Sequence, residues 1–234
     1  MGKAFDKEMQ TLKSLLMEMS SIVESMIYKT IEGLVSRDSK NFEEIRKSEN
    51  KVNQIEMQID DIAWKMIALR QPMGMDLRFI LTAIKVNPLL ERIGDEAINI
   101  LNKTEYLLTV PLLKPLIDTP RMAEKVTEAL NFAIESLFNG NTTLAREICI
   151  NDKEIDDLRD QIYRELLTYM QDSYDNIQRA IKLIFIAKSL ERIGDIATDI
   201  AEDAIYLHEG KDIRHHAESD EEFFKAKKKK KTDK

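Results

Sequence analysis

Glycine, proline and cysteine are scarce: seven, five and one in 234 residues. An all-β fold needs a turn every 8–12 residues or so, built largely from glycine and proline. So few turn residues exclude it. A single cysteine, Cys149, excludes an internal disulfide framework and is compatible with a reducing compartment. No apolar run approaches the roughly 18 residues that a spanning helix needs. The residues after Met1 hold no apolar h-region, so no signal peptide is expected. Asp6 stands where a myristoylation signal would carry Ser or Thr.

A strong basic balance is also missing. The formal charge is −7, and it averages two different parts. Residues 225–234 carry seven lysines and one aspartate, +6, which leaves −13 on the body. An acidic body excludes a nucleic-acid-binding face. The apolar fraction of 43 % supplies a core and excludes general disorder. A charged fraction of 33 % rich in Leu, Ile, Ala, Glu and Lys points to long helices.

An internal repeat organises the chain. Leu90-Glu91-Arg92-Ile93-Gly94-Asp95 recurs as Leu190-Glu191-Arg192-Ile193-Gly194-Asp195. Upstream, Glu49, Val52, Asn53, Ile55 and Ile59 pair with Asp152, Ile155, Asp156, Leu158 and Ile162, at an offset of 103. Helical apolar periodicity fills each half, with Leu90, Ile93, Ala97, Ile100 and Leu101 on one side of a wheel. The expected fold class is all-α, two tandem homologous three-helix bundles. Helices are expected over 3–36, 41–70, 75–108, 121–150, 152–171 and 174–209. The fourth break falls at Asn139-Gly140-Asn141 or at Asn151-Asp152, and the helix ranges adopt the later one. The domain plan is a first bundle at 1–110, a linker at 111–120 holding Pro111, Pro115 and Pro120, a second bundle at 121–210, and a polar, then lysine-rich, disordered tail at 211–234. Met66, Phe79, Phe132, Phe185, Trp64 and Cys149 are expected in the packing.

Carboxylates fall into stripes. Glu91, Asp95 and Asn99 are four apart on the third helix, beside its apolar face, and Glu191, Asp195 and Asp199 repeat them on the sixth. The fifth helix offers Asp152, Asp156 and Asp160, and the second Glu49, Asn53, Glu56 and Asp60. Two acidic flanks can therefore meet where adjacent antiparallel helices touch. Like carboxylates one turn apart destabilise a helix by a few tenths of a kcal/mol per pair, and a multivalent cation relieves this. All-oxygen ligation suits Mg, Ca, Mn or oxidised iron. A lone acidic pair is ordinarily a solvated face, and Arg92 or Arg192 can neutralise neighbours locally. The duplication of stripes, with Gly94 and Gly194 at a close helix approach, favours cations.

At these residues the chain resembles the PhoU family of phosphate-transport regulators, over about residues 5–215. The resemblance rests on Pro72-Met73-Gly74-Met75-Asp76-Leu77-Arg78, on Leu90 to Asp95, and on Ala187-Lys188-Ser189 followed by Leu190 to Asp195. It implies two three-helix bundles, each with a surface metal site, and no turnover chemistry. It also implies a negative regulator that couples a phosphate ABC transporter, through its ATPase subunit, to a sensor histidine kinase. Carried over by position, the first site takes Glu49, Asn53, Glu91, Asp95 and Asn99. The second takes Asp152, Asp156, Glu191, Asp195 and Asp199. Asp199 stands where the family often has Asn, so the second site is expected to be the more acidic and to bind metal more tightly. The expected cofactors are multinuclear clusters, iron first, with Mn or Mg as alternatives. A cytoplasmic place, peripheral membrane association through partners and the lysine tail, and a homodimer complete the expectation.

Two alternatives stand beside it. One is a carboxylate-bridged iron protein for storage or redox work, whose ferritin-like form needs Glu-x-x-His pairs. His208, His215 and His216 all follow the stripes, and none lies three residues after a Glu. The other is a helical scaffold without metal.

Overall fold

The computed structural model describes residues 2–214. Six helices follow in order: α1 (Lys3–Ser36), α2 (Phe42–Arg70), α3 (Gly74–Leu108), α4 (Asp118–Asn139), α5 (Thr142–Asp172) and α6 (Ile177–Glu209). A single 3₁₀ turn, Tyr174–Asn176, leads into α6. Among the described residues there is no strand. The tail expectation falls almost wholly on 215–234, outside the described residues.

Each helix buries the stripe that its sequence period sets. In α2 this is Val52, Ile55, Ile59, Ala63 and Met66; in α5 it is Ile155, Leu158, Ile162 and Leu166. Helices α1, α2 and α3 pack on one another, as do α4, α5 and α6. The two triplets then join through α3 against α6 and α1 against α4, and their buried apolar residues form one continuous core. This junction explains why α6 is buried on more than one side, at Ile193, Ile196, Ala197, Ile200 and Ala204 among others.

Helices α3 and α6 run antiparallel, fixed by three cross-links in register. Lys85 Nζ donates to Asp203 Oδ1 at 3.1 Å, Arg192 Nη1 to Glu96 Oε1 at 3.1 Å, and Lys182 Nζ stands over the Tyr106 ring. Arg192 therefore neutralises an acid of the other half, not its own neighbour. The segment between the halves is held as well. Arg37 donates to the carbonyls of Leu108 and Val110, Arg179 donates to that of Pro111, and buried Lys114 pairs with Glu165.

Three expectations change. The helix break lies at Gly140, not at Asn151-Asp152. Gly140 takes φ 73° and closes α4 by donating its N–H to Ser136 O. Such a left-handed residue is easiest for glycine. The Asn141 side chain then caps α5 by accepting from the Leu144 N–H. Helix α5 runs through residues 151 and 152 because Ile148 and Ile155 keep its buried stripe in phase. Helix α4 also starts at Asp118, inside the expected linker. Trp64 and Phe185 are not core residues; they are 61 % and 48 % exposed. Each directly neighbours its helix's buried position, about 100° round the wheel from Ala63 and from Ile186.

Candidate metal centre

The α2–α3 seam gathers one acidic cluster. Glu49, Asn53 and Glu56 come from α2, and Glu91 and Asp95 from α3. Asn53 Nδ2 donates to Glu49 Oε1 at 2.8 Å, while its Oδ1 is buried without a hydrogen-bond partner. Burial first, then the charges of Asp95 and Glu56, hold Glu91 above the ordinary carboxylate range, with Arg92 offsetting a part. Asp95 is raised by burial and by Glu49 and Glu96. Glu56 is raised by burial and by Asp60 and Asp95. None of Glu49, Glu56, Glu91 or Asp95 forms an ion pair among the described residues. These are like charges pressed together, offset in part by Arg92 but by no direct ion pair among the described residues.

The α5–α6 seam gathers the second cluster: Asp152 and Asp156 against Glu191 and Asp195, with Asp199 at its edge. Burial, then Glu191, Asp152, Asp156 and Asp199, push Asp195 up to about 6. Asp152 is also raised, by burial and Asp156, although Thr198 Oγ1 donates to it at 3.4 Å. A cation is present here. Arg159 Nη1 donates to Asp156 Oδ1 at 2.7 Å and to Glu191 Oε1 at 2.5 Å.

The structure thus brings together Glu49, Asn53, Glu91 and Asp95 in one place, and Asp152, Asp156, Glu191 and Asp195 in another. Asn99 does not join the first group; its amide donates to Glu96 at 3.4 Å, toward the α3–α6 junction. Asp199 stands between the second cluster and that junction, where Asp203 raises its pKa after burial, and Arg92 and Arg214 lower it. Asp60 is tied to α3 by buried Asn87, whose Nδ2 donates to it at 3.0 Å. Among the described residues no three His, Cys, Asp or Glu side chains converge for coordinating an ion.

The comparisons come down on one side. A family model described as the PhoU domain matches residues 16–104 and again 119–204. The chain belongs to the PhoU family. It is 37 % identical over 209 residues to a phosphate-specific transport system accessory protein PhoU homolog of Aquifex aeolicus, covering 89 % of this chain and 95 % of that one. A homolog of the same name from Zymomonas mobilis is 33 % identical over 90 % of this chain and 89 % of its own. The crystal structure of PhoU from Pseudomonas aeruginosa superposes with a TM-score of 0.85 at 31 % identity, covering 88 % of this chain and all of that one.

The two PhoU repeats are not chemically equal. At the offset of 103 that aligns Asn53 with Asp156, Glu56 aligns with Arg159 and Met57 with Asp160. Sequence reasoning passed over Arg159, although this alignment shows it directly. It also left Glu56 outside the first site, and the structure sets it there.

The remaining chemistry is quiet. Cys149 is mostly buried, and burial, then the Glu202 charge, pushes its thiol up to about 12. His208 faces the Leu137 carbonyl at 2.9 Å, at the far end of α6 from Glu191. Among the described residues no helix is long and apolar enough to cross a membrane.

Proposed function

We propose that this chain is a non-enzymatic regulator of phosphate uptake. It represses the phosphate-starvation response when phosphate is plentiful by coupling the ATPase subunit of a phosphate ABC transporter to a sensor histidine kinase. The observation that carries the reading is the match to phosphate-specific transport accessory proteins along nine-tenths of the chain. The reading places the chain in the cytoplasm, where an ATPase subunit and a kinase's catalytic region are found. The two repeats, α1–α3 and α4–α6, then present two related surfaces on one continuous core.

Metal enters this reading at the first seam, where an ion would have to draw the carboxylates together, because no three of them converge among the described residues. The donor set of Glu49, Glu56, Glu91 and Asp95 is all-oxygen, and the orphaned Asn53 Oδ1 adds a neutral oxygen. Hard ions such as Mn, Mg or oxidised iron suit such a set. A bound ion would cancel the repulsion between α2 and α3 and cross-link the two helices. An iron store of the ferritin kind gains no support, because His208, the one histidine among the described residues, is committed to Leu137.

A phosphate-responsive promoter reporter tests the regulatory reading. Deleting the gene in phosphate-replete cells is expected to switch the reporter on, and the wild-type chain to switch it off again. A reporter unchanged by the deletion contradicts the reading.

A further inference from the structure

The second acidic cluster already contains a cation, and it is covalently part of the chain. The Arg159 guanidinium reaches Asp156 and Glu191 through Nη1, and Asp160 through Nε at 3.0 Å and Nη2 at 2.9 Å. It therefore ties α5 to α6 across the seam where a metal ion would tie them. We infer that Arg159 is the resident cation of the second seam, so that only the first seam takes a metal ion. The inference rests on the metal part of the reading above and narrows it.

Three features of the chain support it. The first is the planar guanidinium, which presents several donors in a fixed fork and cannot be deprotonated in a protein. With one Nη1 on two carboxylates it takes the place a bridging ion would hold.

The second is the exchange between repeats. Where the second half has Arg159 and Asp160, the first has Glu56 and Met57. Asp160 secures the outer edge of the guanidinium. Met57 is exposed and could anchor nothing charged. The first seam therefore has a carboxylate in place of the cation and lacks the residue that would hold a cation side chain.

The third is the state of the aspartate-for-asparagine exchange. Asp156 replaces Asn53, and the added charge is the one Arg159 touches. Asn53, in contrast, keeps a buried Oδ1 without a partner. The added acid of the second half answers the arginine and not an ion. This runs against the expectation that the more acidic second site binds metal more tightly. Acid count alone misleads when a base stands among the acids.

The test uses the full chain dialysed against Mn²⁺, with bound metal measured by elemental analysis. Four forms are compared: wild type, Asp95→Asn, Asp195→Asn and Arg159→Gln. The expected result is a loss of at least tenfold in bound Mn for Asp95→Asn and wild-type content for Asp195→Asn. Arg159→Gln is expected to hold about twice the wild-type content. Equal losses in the two aspartate variants, or an unchanged content in Arg159→Gln, overturn the inference.

A metal-free arm runs in chelator. Arg159→Gln is expected to lower Tm and Glu56→Gln to raise it, since one removes a counter-charge and the other a like charge. If no form binds Mn, the metal reading fails and these opposite shifts alone decide the role of Arg159. A Tm for Arg159→Gln equal to or above wild type overturns it.

Discussion

Gly194 of α6 backs so closely onto Ile155 of α5 that a Cβ there would lie 3.0 Å from Cδ1 and 3.3 Å from Cγ2. Its repeat partner Gly94 has ordinary van der Waals room, with Val52 Cγ1 nearest at 3.6 Å. Both glycines lie inside helices, where alanine is favoured by about 1 kcal/mol. Gly94→Ala is therefore expected to stabilise the chain by up to about that amount. Gly194→Ala must displace Ile155 and is expected to gain nothing or to lose about 1 kcal/mol, as overpacked cores do. Urea titration of the two variants measures the difference, and equal midpoints would refute it.

Lys85 and Asp203 join the halves, but the two partners contribute unequally. Asp203 is buried, and burial raises its pKa even though the Lys85 hydrogen bond lowers it. Lys85 is far more exposed. Removing the lysine leaves a buried carboxylate unpaired, which costs about 3 kcal/mol or more when the charge is retained. Lys85→Met is thus expected to destabilise strongly at pH 8. The loss is expected to be smaller at pH 5, because the raised pKa of Asp203 brings its protonation closer. Asp203→Asn, which leaves a solvated lysine, is expected to cost less than Lys85→Met at pH 8. Chemical denaturation at the two pH values checks both orderings.

The metal-free chain is expected to become more stable as pH falls from 7.5 to 5.5. Asp195 has a folded pKa of about 6, above the roughly 3.9 of an unfolded aspartate. Its protonated form is favoured by folding, so its contribution is fully present below the unfolded value. That contribution is lost as pH rises through the folded one. Glu191, Asp152, Asp156 and Asp199 face it with like charge, and Arg159 is the counter-charge on two of them. Carboxylates lowered by pairing, such as Glu209 beside Arg146 at about 2, act only below the ordinary carboxylate range. A Tm series in chelator measures the slope, and Asp195→Asn is expected to flatten it. A wild-type Tm that falls over the same interval contradicts the account.

Cys149 is expected to resist thiol reagents in the folded chain. Reactivity follows the thiolate, and a thiol held at about 12 supplies almost none at pH 8. Labelling by a disulfide reagent is expected to be at least about a hundredfold slower than in denaturant. Equal rates would show that the α5 site opens freely.

How much of this was legible from residues follows from where the signal lies. Helices α1, α2, α3 and α6 were placed to within two or three residues, because their apolar stripes are long and their ends are marked by breaks such as Gln71 to Gly74 and by Gly210. The α4–α5 boundary was not, since Asn151-Asp152 and Gly140 are both turn-like and only backbone geometry selects the residue that takes positive φ. Trp64 and Phe185 are apolar, but one step off the stripe. The acidic clusters were legible as stripes, and their members mostly meet. Asn99 turned away because its amide donates to Glu96 one turn back on the same helix, on the side that faces the α3–α6 junction. Arg159 escaped because a search for ligands counts acids and overlooks the base between them.

The measurement that bears most directly on the account is anomalous diffraction at the manganese and iron edges from crystals of the metal-loaded chain. The account predicts an anomalous peak at the α2–α3 seam, among Glu49, Glu56, Glu91 and Asp95. It predicts none at the α5–α6 seam, where Arg159 keeps its contacts with Asp156 and Glu191. A peak at the second seam with Arg159 displaced, or no peak at the first, would contradict it.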